Sequence, residues 1–226
     1  MTVIALVPAH NEAERISATV TATASVAGID RVVVIDDGSL DDTASLARAA
    51  GAEVIALARN RGKGAALQAG LDAVRDEADI VVLLDADLGA SAAAATALLE
   101  PIVAGDADMT IAILPTPAGS GGFGLVKGLA RHGIARLGGG FKARSPLSGQ
   151  RALNASAVQA AARFAHGYGA EVALTIRVLR AGLRVTEVPA PMTHAATGKD
   201  VAGFLHRGRQ FADVLAALAR IALERR

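Results

Sequence analysis

Along the first half of the chain, short apolar runs alternate with longer stretches in which apolar residues recur at helical spacing. Val3–Val7, Arg31–Ile35, Glu53–Ala56, Ile80–Leu84 and Met109–Leu114 read as strands, and Glu12–Ala27, Asp41–Ala50, Lys63–Glu77 and Ser91–Ala104 as the helices between them. Strands and helices taking turns predict βαβ units, right-handed crossovers and a mostly parallel sheet flanked by helices. Val3–Val7 and Val81–Leu84 are apolar throughout, as strands covered on both faces are.

The second half is less regular. Pro115–Gly122 and Gly138–Pro146 (GGGFKARSP) read as loops, the latter a flexible one that is either a linker between helices or a loop ordering over bound ligand, with Lys142 and Arg144 meeting phosphate. Phe123–Leu137, Ala155–Phe164 and Gly169–Ala181 read as helices, and Leu147–Leu153 and Arg184–Val188 as strands. The tail, Val201–Arg225, carries Phe204, Leu205, Phe211, Val214, Leu215, Leu218 and Ile221 on one helical face. That face is expected to pack on the parent domain, with membrane contact or homodimer formation as the other readings. A chain of 226 residues suits one core, so the expectation is a single domain, 1–226, ending in a C-terminal helix from 201.

Composition narrows the chemistry. The net charge of +1 gives no electrostatic case for nucleic acid as a partner. With no cysteine, disulfides and thiolate metal sites are excluded, which leaves carboxylates, histidines and backbone. Hydrophobic residues make up 52%, yet no apolar run reaches the length of about 18 that a membrane span needs. The start, MTVIALVPAH, has no basic segment and reads as a first strand, so a cytoplasmic protein is expected.

In open α/β sheets ligands bind beyond the carboxyl ends of the strands, and the polar residues of this chain gather there. The successive rim segments are PAHNEAE (Pro8–Glu14), DDGSLDDT (Asp36–Thr43), RNRGKG (Arg59–Gly64) and DAD (Asp85–Asp87). Ser39–Asp42 has capping-box spacing, which accounts for Ser39, Asp41 and Asp42 better than for Asp36 and Asp37. Gly62–Lys63–Gly64 opens a helix as an anion-binding N-terminus would, although the Walker spacing is absent. Asp85 and Asp87 are harder to explain as structure alone, because two alternate carboxylates repel unless a cation or a set of N–H donors meets them. Hard divalent ions such as Mg²⁺ take one or two carboxylates together with substrate phosphate and water. His10 is a rim residue, and His132 and His166 are expected at the surface or at helix ends. His194, in MTHAATGKD after the strand-end Pro189, is the histidine placed to join a metal shell.

VPAHNEAERI, VVVIDDGSLDDT, NRGKGAALQAG and VVLLDADL, in this order and register, resemble the donor half of family-2 glycosyltransferases with the GT-A fold. The likeness covers residues 2–114 and runs more loosely through SGQR (Ser148–Arg151) and GYGAE (Gly167–Glu171). Within the family the sequence looks nearest to polyprenyl-phosphate sugar synthases, the dolichyl-phosphate mannose synthase group. A second likeness is to glucosyl-3-phosphoglycerate synthases, through GYG-x-E and the later histidine. The resemblance implies a UDP- or GDP-linked sugar donor, Mg²⁺ or Mn²⁺ as cofactor, and an acceptor such as polyprenyl phosphate met at the inner face of a membrane.

Carried over by position, it implies that residues 1–114 bind the donor and residues 115–200 form the acceptor half. Pro8, Ala9, Asn11 and Glu12 would lie near the nucleoside, Asp36 or Asp37 would bond the base, and Lys63 would approach the phosphates. Asp87 would bind metal, Asp85 ribose or a metal-bound water, and His194 would complete the metal shell. Glu171 would be the acceptor-side acid, with Arg151, after Ser148–Gly149, facing a phosphate. Gly89 departs from the pattern where many polyprenyl-phosphate enzymes carry glutamine, and so does Ala195 after His194. A sugar nucleotidyltransferase would open on a glycine-rich loop and a dehydrogenase on G-x-G-x-x-G, and PAHNEAE is neither. A non-catalytic nucleotide-sugar-binding module is the remaining alternative, against which stand the DAD pair and Glu171.

Overall fold

The computed structural model describes residues 1–115, 124–161, 169–194 and 201–224, the last segment with side chains from Gln210 onward. Strands β1 (Val3–Ala9), β2 (Arg31–Asp36), β3 (Glu53–Ala56), β4 (Ile80–Leu83), β5 (Met109–Ile113), β6 (Arg151–Asn154) and β7 (Val185–Pro189) form one seven-stranded sheet in the order β3-β2-β1-β4-β6-β5-β7. The pairs β1–β2, β1–β4, β2–β3 and β5–β7 are parallel. Only β6 runs against its neighbours β4 and β5. The mostly parallel α/β architecture expected from the sequence is therefore present, with one reversed strand in its middle.

The central strands β1, β2 and β4 are largely apolar because both faces are covered, whereas the edge strands β3 and β7 are only partly buried. On one face Val3, Ala5 and Val7 of β1 join Val32 and Val34 of β2 against helices α1 (Ile16–Ala24), α2 (Thr43–Ala49) and α4 (Thr96–Val103). On the other, Ile4, Leu6, Val33 and Ile35 meet α3 (Lys63–Val74), α6 (Ala155–Ala161) and α7 (Ala170–Arg180). Side chains of successive strand residues point to opposite faces, so a run of Val, Ile and Leu fills both layers. Gly70 lets α3 lie close on the sheet, since a Cβ there would stand 2.6 Å from Ile35 Cδ1.

A third core joins α5 (Gly124–Leu137), α7 and α8 (Val201–Leu223) through Val126, Ile134, Val172, Ile176, Val214 and Leu218. The arginines of α7 bind this layer together. Arg177 Nη2 pairs with Glu224 Oε1 at 2.5 Å, and Arg180 donates to the carbonyls of Leu137 and Ile221. The buried stripe of α8 thus packs on its own domain, while Phe211 and Leu215 stay exposed.

Several boundaries move from their expected places. The first helix starts at Ile16, not Glu12, because residues 12–15 form a turn whose Glu12 carbonyl accepts from Arg15 and Ile16. Ser91–Ala104 is not one α-helix: Gly89–Ala95 winds as 3-10 before α4, which tolerates Pro101 in its interior. The strand expected over Leu147–Leu153 reduces to β6. Gly138–Pro146, expected to be a flexible loop, is pinned from two sides. The Glu187 carboxylate accepts from the backbone N–H of Arg144 and Ser145, and Arg131 donates to the carbonyls of Ala143 and Arg144.

Candidate active site at the carboxyl edge of the sheet

The parallel strands end on one edge, and the expected rim segments meet there. The β1 rim turns sharply: Pro8 and Ala9 are the last residues of β1, and Asn11 takes a left-handed conformation with φ 54°. Asn11 offsets that cost locally, donating its N–H to Ser39 Oγ and accepting the Leu40 N–H on Oδ1. Ser39 is therefore a brace between two rims and not the helix cap that its spacing suggested. Helix α2 starts at Thr43 with no side-chain cap bond from Asp42, and Asp41 accepts from the Thr43 N–H and hydroxyl. Glu12, whose N–H donates to Thr43 Oγ1, has its carboxyl held above the usual range by partial burial and by the nearby charge of Asp87.

Asp36 and Asp37, at the end of β2, are both buried. Asp36 accepts the Ser39 N–H at 3.1 Å. Asp37 accepts the N–H of Arg61 at 2.8 Å and of Gly62 at 2.7 Å, one on each oxygen. It thereby ties down the RNRGKG loop. Gly38 allows that loop to lie against it: its φ is +68°, and a Cβ would stand 2.6 Å from the Arg59 carbonyl carbon. Gly62 precedes the first turn of α3 and aims Lys63 inward.

Lys63 is the hub of the site. Its Nζ lies 2.6 Å from Asp85 Oδ1 and 3.3 Å from Glu171 Oε1, in the first turn of α7. Burial pushes the ammonium pKa down, but the two carboxylates outweigh it and the net shift is upward. Asp85 mirrors this: burial favours its neutral form, Lys63 overcomes that, and the carboxyl lies below its ordinary range. The second Asp85 oxygen accepts from Gln150 Nε2 at 2.6 Å, and Ser148 Oγ donates to Gln150 Oε1 at 3.2 Å.

On the opposite side His194 Nδ1–H donates to Asp87 Oδ1 at 2.9 Å, and its Nε2 lies 3.9 Å from Asp85 Oδ2. That bond to Asp87 is the main reason the imidazole pKa is raised; burial opposes it and the Asp85 charge adds to it. Among the described residues, ligand atoms of Asp85, Asp87 and His194 all lie within 4.8 Å of one another. Two carboxylates and one imidazole in partial contact with solvent suit Mg²⁺ or Mn²⁺, leaving room for phosphate oxygens and water.

The DAD turn is held by a residue that sequence reasoning missed. Thr19, buried on α1, donates its hydroxyl to the Ala86 carbonyl and accepts the Gly89 N–H. Gly89 has φ +55° and an added Cβ there would meet nothing within 4 Å, so it is the left-handed backbone of the turn, not crowding, that favours glycine. Gln150 was equally unforeseen, because an amide in an apolar–polar run gives no sign of the carboxylate it will meet.

Arg151 does not reach the open site. It is fully buried, its Nε donating to the Ser148 carbonyl and its Nη1 to Thr175 Oγ1, and burial pushes its pKa down to about 10. The guanidinium expected to face a phosphate thus lies in the core, bonded to the chain itself. His10 and His132 are exposed, while His166, Gly167 and Tyr168 lie outside the described residues.

Comparison with known proteins agrees with this arrangement. The sequence model of Glycosyl transferase family 2 matches residues 4–145. Glycosyltransferase AglJ of Haloferax volcanii is 32% identical over 200 residues, covering 86% of this chain and 64% of that protein. An undecaprenyl-phosphate 4-deoxy-4-formamido-L-arabinose transferase of Shewanella sediminis is 39% identical over 93 residues, 37% of this chain and 28% of its own length. This chain thus spans less than two thirds of both relatives.

Among solved structures, glucosyl-3-phosphoglycerate synthase of Mycobacterium tuberculosis with Mn²⁺, UDP and phosphoglyceric acid superposes with a TM-score of 0.80 at 27% identity. That match covers 100% of this chain and 80% of that one. The same enzyme with phosphoglyceric acid alone gives a TM-score of 0.78 at 29% identity, over 97% and 79% of the two chains. It has also been solved with Mg²⁺ and UDP. From the matched span, which contains all four rim segments, the chain belongs to glycosyl transferase family 2.

Proposed function

We propose that this chain is a metal-dependent glycosyltransferase that moves a sugar from a nucleoside-diphosphate sugar to a phosphate-bearing acceptor. The observation that carries the reading is the meeting of Asp85, Asp87 and His194 within 4.8 Å, beside the Lys63–Glu171 pair. A divalent ion held by Asp87 and His194 would neutralise the diphosphate and stabilise it as a leaving group. Asp85, with one oxygen on Lys63 and the other on Gln150, is built to orient its neighbours more than to give up both oxygens to a metal. Lys63 places a fixed positive charge where the leaving group gains negative charge. Glu12, Asn11 and the Asp36–Asp37 pair form the wall suited to the nucleoside.

The acceptor reading rests on chemistry shared by the relatives, whose names and ligands carry phosphoglycerate in one case and undecaprenyl phosphate in another. An ionised phosphate oxygen of a polyprenyl phosphate would attack without a general base, whereas a hydroxyl of phosphoglycerate would need one in an inverting transfer, for which Glu171 is the candidate. Among the described residues no helix is long and apolar enough to cross a membrane. A polyprenyl acceptor would accordingly be met at the membrane surface.

The test is release of nucleoside diphosphate from a panel of UDP- and GDP-sugars, with Mn²⁺ or Mg²⁺, in the presence of phosphoglycerate or a short polyprenyl phosphate. Metal-dependent transfer to one acceptor, abolished by Asp87→Ala, is expected. Binding of a nucleotide sugar with no transfer to either acceptor would instead favour a non-catalytic binding module. Absence of any thermal shift with every donor would refute both.

A further inference from the structure

Arg151 presents an unusual situation for a charged residue. It opens β6, the reversed strand, and is 0% exposed. Burying a cation costs several kcal/mol unless its surroundings compensate, and a well-packed apolar side chain would avoid that cost. Compensation here is partial. The charges of Glu171 and Glu187 oppose the downward push of burial on its pKa, yet Nη2 has no hydrogen-bond partner among the described residues.

What the guanidinium does gain is a bridge between two segments that share no other strand or helix. Nε holds the carbonyl of Ser148 at 2.9 Å, and Nη1 holds Thr175 Oγ1 at 2.8 Å. Thr175 Oγ1 in turn donates to the Glu171 carbonyl at 2.8 Å. The Ser148 side leads to Gly149, packed against the Lys63 ammonium, and to Gln150, bonded to Asp85. The Thr175 side leads to Glu171, bonded to the same ammonium. Both walls around Lys63 therefore hang on one planar fork, a geometry that lysine, with a single ammonium, cannot reproduce.

We infer that Arg151 is a positioning residue for the transfer reaction, acting through Thr175 to hold Glu171 and Gln150 at a fixed separation across Lys63 without touching substrate. The assignment rests on the function proposed above, and its test keeps the two separable. Thr175→Val removes the bridging hydroxyl at nearly constant volume, whereas Thr175→Ser keeps it; Arg151→Lys keeps the charge and loses the fork. Because the first and third changes lower the melting temperature, turnover is divided by the number of binding-competent molecules, counted by calorimetric titration with UDP and Mn²⁺.

Thr175→Val and Arg151→Lys are expected to bind UDP–Mn²⁺ with parental affinity while turnover per competent molecule falls about tenfold or more. Thr175→Ser restores it. Hydrogen exchange provides a readout that needs no substrate. Peptides covering Ser148–Gln150 and the first turn of α7 should both exchange faster in Thr175→Val, and neither in Thr175→Ser. Unchanged turnover per competent molecule, or faster exchange confined to α7, would overturn the inference. A parent chain that neither binds UDP–Mn²⁺ nor turns over any donor overturns the proposed function instead, and the exchange pattern then judges the clamp alone.

Discussion

Gly149→Ala puts the packing around Lys63 to a direct test. An added Cβ would lie 2.5 Å from Lys63 Nζ and 3.1 Å from each carboxylate oxygen of Asp85. Carbon and nitrogen settle into contact at about 3.5 Å, so the ammonium must retreat by about 1 Å. Its bond to Asp85, now 2.6 Å, would then lengthen beyond hydrogen-bonding range. The end of a lysine yields easily, so the fold loses little. A half-exposed ion pair contributes at most about 1 kcal/mol, and the stiffer unfolded chain of alanine returns about 0.4–1 kcal/mol. Gly149 also lies outside the left-handed region, so no backbone strain is added. A displacement of about 1 Å in a catalytic group costs up to about a hundredfold in rate. The expected result is an almost unchanged melting temperature, retained binding of UDP–Mn²⁺, and a one- to two-decade fall in donor turnover. Turnover within about threefold of the parent, with binding intact, would refute the claim that Lys63 must sit against Asp85.

Asp37→Ala leaves the N–H groups of Arg61 and Gly62 without their acceptor. Hydrogen bonds to a charged group contribute about 1.5–3 kcal/mol each, so denaturant titration should register a loss of at least about 2 kcal/mol. Gly38→Ala combines positive φ with a 2.6 Å approach to backbone that cannot swing aside, and should lower the melting temperature more than Gly149→Ala does. The His194 pKa is raised from 6.5, so in metal-free protein its protonated form stabilises the fold at pH below 6.5, and that contribution is lost as pH climbs through the raised value. A metal takes the neutral ring, so Mn²⁺ affinity measured at saturating UDP should increase with pH over the same interval above 6.5. His194→Ala should flatten that profile, and a flat profile in the parent would remove His194 from the ligand set.

The first half of the chain was legible because its signals are local. β1, β2 and β4 announce themselves as unbroken runs of Val, Ile and Leu, and topology alone carries Asn11, Asp36, Lys63 and Asp85 to one edge. Acid pairing at Asp85–Ala86–Asp87 is equally local, since the repulsion it implies follows from a separation of two residues. Partnerships are another matter. Lys63 and Glu171 are far apart in sequence, and GKG by itself pointed to phosphate with nothing to suggest that two carboxylates already hold the ammonium.

Strand direction escaped for a related reason. Arg151–Asn154 is short, and its apolar content is the same whether it runs with or against β4. Reversal sets Arg151 beside Leu83 and Ile111, one residue from Gln150 at the carboxyl edge, whereas a parallel strand would have put it at the opposite edge of the sheet. The placements of Arg151 and of Arg144–Ser145 share one partner. Glu187 on β7 both offsets the effect of burial on Arg151 and accepts the N–H groups of Arg144 and Ser145, contacts between residues far apart in sequence that no local pattern announces. A Glu187→Gln variant would leave the donor wall untouched while weakening those contacts. Faster hydrogen exchange over residues 143–146 with unchanged UDP–Mn²⁺ binding is its expected signature, and a loss of nucleotide affinity would contradict the proposal that the first half of the chain alone binds the nucleotide.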